Sequence, residues 1–204
     1  MRNIVILLTG LLLGACALHK PAPDNQAVPV VNRIIVMPVT LADNPTAKST
    51  PQSLATGKVV LSGLIHDYFK GDRRVNILSE AQVSSYRQGY EDHGQRLKRI
   101  SKRLNADTVM AWQISRYVEK DGGDYSANHP SSVAFSYRLT NIATGQTLCS
   151  SKVDKTQETL TGNLFSARQF LRHGGKWISA RQLTWEVMNK KLHECRYLSM
   201  PAAK

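Results

Sequence analysis

From residue 33 onward the chain alternates between short apolar runs and stretches of helical period. Arg33-Ile-Ile-Val-Met-Pro-Val39 has the length and composition of a buried strand, with Pro38 either ending it or lying at a sheet edge. A polar loop is expected over residues 40–51. Residues 52–69 place Leu54, Leu61, Leu64, Ile65 and Tyr68 at helical spacing, and Gly71 follows as a stop signal. Residues 75–78 read as a short strand. Ser79-Glu80-Ala81-Gln82 then matches a capping box, which opens a helix to about residue 90. Another helix, over about 95–105, is predicted to bury Leu97, Ile100 and Leu104. Residues 108–118 and 132–142 alternate with period two. Met110, Trp112 and Ile114 share one face of the first strand. Val133, Phe135, Tyr137 and Leu139 stand opposite Ala134, Ser136, Arg138 and Thr140 in the second. Ala143-Thr144-Gly145 is a tight turn in which Gly145 supplies positive φ, and residues 146–155 return as the partner of an antiparallel hairpin. Residues 163–173 are predicted helical, stopped by Gly174-Gly175. Ser179-Ala180-Arg181-Gln182 reads as a second capping box, opening a terminal helix with Leu183, Val187 and Leu192 inward. The order β-α-β-α-α-β-β-β-α-α implies an α/β (α+β) domain, a mixed sheet of about five strands with helices packed on it.

The first residues differ from everything that follows. After Met1-Arg2-Asn3, an apolar run of about ten residues (4–13) is too short for a permanent bilayer span. It ends in Leu13-Gly14-Ala15-Cys16, which resembles the lipobox of bacterial lipoprotein signal peptides. That resemblance implies cleavage before Cys16, a diacylglyceryl group on its sulfur and acylation of its new amine. Each buried methylene contributes about 0.8 kcal/mol, so several acyl chains make a durable anchor. The residue after Cys16 is Ala17 rather than aspartate, which by resemblance to enterobacterial-type sorting implies the outer membrane, periplasmic face. Residues 17–32 hold Pro21, Pro23 and Pro29 among small and polar residues and lack either period, as a tether does. The expected organisation is a signal peptide over 1–15, the lipidated cysteine and tether over 16–32, one periplasmic domain over 33–198 and a frayed tail over 199–204.

Charge adds a preference for partners. The 204 residues carry a formal net charge of +12, a field that favours acidic envelope proteins, anionic lipid heads or acidic envelope polymer. Nucleic acid is not an expected partner of an exported chain. The densest cationic cluster is Arg96, Lys98, Arg99, Lys102 and Arg103, on the outer faces of the 95–105 helix, and it is the first candidate docking face. A second candidate interface mixes aromatic and basic groups between residues 162 and 177: Phe165, Arg168, Arg172 and Lys176, with Phe170 and Trp177 read as core. With Cys16 assigned to lipid, Cys149 and Cys195 remain. An oxidising periplasm permits a disulfide between them, and two buried free thiols are the alternative.

Catalytic patterns are missing from the sequence. The six histidines are scattered, and neither HExxH, CxxC, Gly-x-Ser-x-Gly nor a phosphate loop occurs. Glu119, Asp121 and Asp124 cluster after the 108–118 strand, where a polar loop tip explains them better than a carboxylate pair. The expectation is a non-enzymatic domain without catalytic residues, metal or cofactor.

The run Arg33–Val39, the long helix leading to Arg74-Val-Asn-Ile-Leu-Ser79, the strand start Ala106-Asp-Thr-Val-Met-Ala111 and the hairpin at Ala143-Thr-Gly145 together resemble a known family. It is the periplasmic domain shared by the curli-secretion lipoprotein CsgG, the LpoB-type activators of peptidoglycan synthases and the amino-terminal domain of TolB. The resemblance implies an anticodon-binding-domain-like sheet over about residues 33–155. It also implies an accessory role in an envelope assembly: secretion, polysaccharide export, a flagellar collar or peptidoglycan synthesis. A self-assembling periplasmic ring, and thus a homo-oligomer, is the alternative; an enzyme acting on envelope polymer is a third reading. Residues 119–130 and 157–163 are too short to supply the paired ten-residue strands of a membrane barrel.

Overall fold

The computed structural model describes residues 31–43, 49–86, 92–125, 127–157 and 174–199. Cys16, the tether up to residue 30, and the expected 163–173 helix with Phe165, Arg168, Phe170 and Arg172 lie outside the described residues. Of the last two residues assigned to the tether, Val31 is buried in the main core and the Asn32 amide donates to the Asp107 carboxylate at 2.9 Å.

The elements are β1 (Ile34–Val36), β2 (Thr40–Leu41), α1 (Pro51–Tyr68), β3 (Val75–Ile77), α2 (Glu80–Ser85), α3 (His93–Leu104), β4 (Thr108–Val118), β5 (Asp121–Gly122), β6 (Ala127–His129), β7 (Ser132–Asn141), β8 (Thr147–Thr156), α4 (Ala180–His193) and α5 (Arg196–Ser199). One mixed sheet runs β3-β1-β4-β7-β8, with β2 also pairing with β4. Its β3-β1-β4 half is parallel, Ile34 standing opposite Val75 on one side and Thr108 on the other. Its β4-β7-β8 half is antiparallel, with Trp112 opposite Tyr137 and Tyr137 opposite Ser151. The expected mixed α/β fold is therefore present.

Alternation decides what each side of the sheet meets. Ile34, Val36, Met110, Trp112, Ile114, Phe135, Tyr137 and Leu139 point to one side, here the near side, and join Leu61, Leu64 and Ile65 of α1 and Leu183, Met188 and Leu192 of α4 in the main core. Ile35 points to the far side, where it meets Leu78 and Ile100 in a small second core under α2 and α3. Helix α1 lies very close to β4. A Cβ built on Gly57 would sit 2.5 Å from Tyr117 Cβ, so only glycine allows this approach.

Local signals account for most ends. Thr50 and Ser53 form a reciprocal capping box at α1, with Pro51 at its first position, and Ser79 and Gln82 form the expected one at α2. Gly71 has φ of +88° just beyond α1. In the β7–β8 turn the Asn141 side chain accepts from the amides of Ala143 and Thr144 at 3.0 Å, and Gly145 has φ of +71°.

Pro38 follows an interior strand, so of its two expected roles it takes the first and ends β1. Several other expectations need correction. The 40–51 segment is not all loop: Thr40 and Leu41 pair with Gln113 and Ile114 because β4 extends beyond β1. The loop after β4 contains the small β5–β6 hairpin. Helix α2 stops at Ser85, with Tyr86 as its C-cap, well short of residue 90. Of the predicted α3 core residues only Ile100 is fully buried; Leu104 packs at the margin of the small cluster, and Leu97 is half-buried. At α4 only half of a capping box forms. Ser179 accepts from the Gln182 amide, but the Gln182 side chain donates to Glu186 instead of closing on Ser179. Residues 200–204 lie outside the described residues.

Candidate functional site

Helix α3 displays the charged cluster that the sequence suggested. Asp92 caps its start by accepting from Gly94 N, and Asn105, at φ of +51°, ends it in the left-handed conformation. Ile100 is fully buried against Ile35 and Leu78 and fixes the face that looks inward. The five cations are not equivalent. Lys98, Lys102 and Arg103 are exposed, whereas Arg96 and Arg99 are half-buried. Arg99 reaches back and donates to the Tyr86 carbonyl at 3.1 Å, while the Arg103 guanidinium sits 6.0 Å from the Tyr86 ring centroid. Tyr86 thus gathers Arg99, Lys102 and Arg103 around a cavity of about 550 Å³ that Ser85 also lines. The carbonyl end of α2 carries partial negative charge, which explains why Arg99 turns toward it. Among the described residues no salt bridge neutralises Lys98, Lys102 or Arg103, so the cavity favours carboxylate or phosphate groups.

The second candidate segment is described only from Gly174 onward. Lys176 is exposed and lies 5.4 Å from the Tyr125 ring centroid. Trp177 is buried, and its amide donates to the Asp124 carbonyl at 2.7 Å. The loop after β4 is therefore a structural brace. Glu119 accepts from the Ala180 amide at 2.9 Å and so helps to cap α4. Lys120 pairs with Asp124 and donates to the Trp177 carbonyl at 2.8 Å. The Lys120 ammonium bonds to the Asp124 carboxylate and holds its pKa below the usual range. Asp121 lies 3.7 Å from His129 on the surface. These three carboxylates face different partners and do not converge on a common point. Among the described residues no group of three histidine, cysteine, aspartate or glutamate side chains is placed to hold a metal.

Cys149 on β8 and Cys195 beyond α4 form a disulfide with Cα atoms 6.0 Å apart. Helix α4 ends at His193, and a bond from Cys195 N to the Leu192 carbonyl turns the cysteine inward. The same junction is fastened by Tyr137, whose hydroxyl donates to the Lys191 carbonyl at 2.8 Å; burial pushes that phenol up to about 12. Arg74 grips both Asp72 oxygens, at 3.1 and 2.8 Å, and donates to the Leu198 carbonyl at 3.0 Å, which clasps α5 to the β3 edge. The guanidinium hydrogen bonds hold the Asp72 carboxyl below its ordinary range, against the opposing effect of burial. Arg116, almost fully buried at the β4 bulge, pairs with Asp154 on β8. Sequence reading missed the Arg116–Asp154 pair, which depends on strand register, and the Arg74–Asp72 pair, which lies two residues apart in the turn before β3. It also passed over Arg138 and Lys152, although the alternation of β7 and β8 already placed them on the polar side.

No protein-family model matches the chain, and no curated protein matches it. Its structure is similar to the PelC dodecamer from Paraburkholderia phytofirmans, at 12% identity and a TM-score of 0.47, covering 87% of this chain and 94% of that one. It is similar to the LpoB C-terminal domain from Salmonella enterica at 14% identity and a TM-score of 0.38, covering 63% and 86% respectively. A third similar structure is lipoprotein GNA1162 from Neisseria meningitidis, at 15% identity and a TM-score of 0.35, covering 70% and 92%. No functional residue of those proteins is carried over to this chain. Among the described residues no helix is long and apolar enough to cross a membrane.

Proposed function

We propose that this chain is an envelope lipoprotein held at the outer membrane by acyl chains on Cys16. Its domain is a non-catalytic accessory subunit that docks an acidic envelope partner through the α3 face. The lipobox-like Leu13-Gly14-Ala15-Cys16 carries the reading. The Cys149–Cys195 disulfide supports it independently, because such bonds persist in oxidising compartments and are rare in the cytosol. The mechanism is tethering plus docking. The anchor confines the domain to a thin layer, raising its effective concentration toward partners in the same layer. The tether sets reach, and Lys98, Lys102 and Arg103 steer an acidic partner to the Tyr86 cavity.

Metabolic labelling with a palmitate analogue, followed by membrane fractionation, tests the anchor. Wild type incorporates label and sediments with the outer membrane. Cys16→Ser is unlabelled and leaves that fraction. Equal labelling of both proteins rejects Cys16 as the anchor.

A further inference from the structure

Among the described residues, the far side of the sheet is covered over β3, β1 and the start of β4, but not over the antiparallel half. There the side chains opposite the main core form an open trough of about 490 Å³. Its floor and walls are Ala111 and Gln113 of β4, Ser136 and Arg138 of β7, and Ser150 and Lys152 of β8. Register places Arg138 between Ala111 and Ser150, and Ser136 between Gln113 and Lys152. The two cations therefore sit on neighbouring strands and diagonal to one another, about 7 Å apart at Cβ. Both are exposed, and among the described residues neither has a salt bridge. The nearest acid on β8, Asp154, is taken by Arg116.

We infer that this trough binds a linear, carboxylate-bearing glycan strand. The charge is complementary, with a guanidinium fork suited to carboxylate and a lysine point charge beside it. Gln113, Ser136 and Ser150 supply both donors and acceptors, as hydroxyl-rich sugar units require. Three strands about 4.8 Å apart give a channel one polymer chain wide. A flat bilayer does not enter a concave trough, and the six side chains include no large apolar group to insert at an interface. Trp112 and Tyr137 also border the trough, but both are buried in the main core, so a protein partner would find no exposed aromatic or aliphatic anchor there. The inference rests on neither Cys16 lipidation nor the α3 docking face.

Fluorescence anisotropy with a labelled polygalacturonate oligomer, using the full-length chain in detergent, tests it. The oligomer binds wild type. Arg138→Gln with Lys152→Gln weakens binding about tenfold, while the control pair Lys70→Gln with Lys190→Gln, exposed just beyond α1 and on α4, changes it less than threefold. Circular dichroism confirms that each variant is folded; all four positions are exposed, and alanine in place of glutamine serves if one is not. Absence of binding overturns the inference. Equal losses in both variant pairs reduce it to the general positive field, and equal binding of the carboxyl-reduced oligomer removes the charge argument. A poly-glutamate peptide of matched charge that binds as tightly assigns the trough to a protein. Phosphatidylglycerol vesicles that lose their hold on the chain only in the Arg138/Lys152 variant assign it to a membrane.

Discussion

The two sides of the sheet are built for different tasks. On the near side, two long helices bury most of the main core, α1 approaches β4 at Gly57 to the limit that glycine allows, and a disulfide ties the end of α4 to β8. On the far side, one fully buried isoleucine of α3 and two neighbours hold two helices, and Lys98, Lys102, Arg138 and Lys152 are exposed. The contrast teaches that stability and contact have been separated by strand alternation. Odd and even residues of the same strand serve opposite roles, so the near side tolerates little change while the far side can vary its charge at small structural cost.

Substitutions that target one side only sharpen this contrast. A large effect is expected from Gly57→Leu, because its side chain has no space against Tyr117. Equilibrium unfolding in urea should show a loss of about 3 kcal/mol or more. Gly63→Ala in the same helix meets no atom within 4 Å and should gain about 0.5–1 kcal/mol. Replacing Cys149 and Cys195 together by alanine reopens a cross-link between residues 46 apart and should cost about 4 kcal/mol by loop-closure entropy, measured by the same unfolding curve. Ile100→Ala should cost about 3 kcal/mol, with a local signature. Hydrogen exchange should lose protection in α2 and α3 while α1 and α4 keep theirs.

A smaller effect should follow pH. The folded Asp72 carboxyl has a depressed pKa, so its contribution is fully present above the unfolded value near 4. It disappears as pH falls through the lower folded value. Wild type should therefore exceed Asp72→Asn in stability at neutral pH, by about 1 kcal/mol at most because the pair is partly exposed, and the two should converge in strong acid. A difference that persists unchanged at low pH would show that the clasp acts through packing. The smallest stability change is expected from Lys98→Glu with Lys102→Glu, within about 0.5 kcal/mol. Their effect should appear in cells instead, as loss of cross-linking from the α3 face to its partner.

Legibility in the sequence followed the same division. Alternation made β4 and β7 readable with their faces, and the 3.6-residue stripe made α1 readable, because burial imposes both periods. The two residues of β2 were unreadable. They form a strand only because β4 outruns β1, which is a property of the assembled sheet. The half-box at Ser179 failed for a comparable reason, since Glu186 offered the Gln182 side chain another partner. Charge clustering on α3 was visible as composition. That Arg99 is half-buried and engaged at Tyr86 was not, because the end of α2 decides it. Whether Cys149 and Cys195 pair stayed open in the sequence, because their proximity requires the path of the whole C-terminal region.

That path has a further consequence for how damage would register. Every peptide bond between Cys149 and Cys195 lies inside a covalent loop. A protease that cuts there releases no fragment under oxidising conditions, and α4 stays on the sheet. The nicked molecule keeps its full mass on a non-reducing gel and falls into two pieces only when a reductant is added.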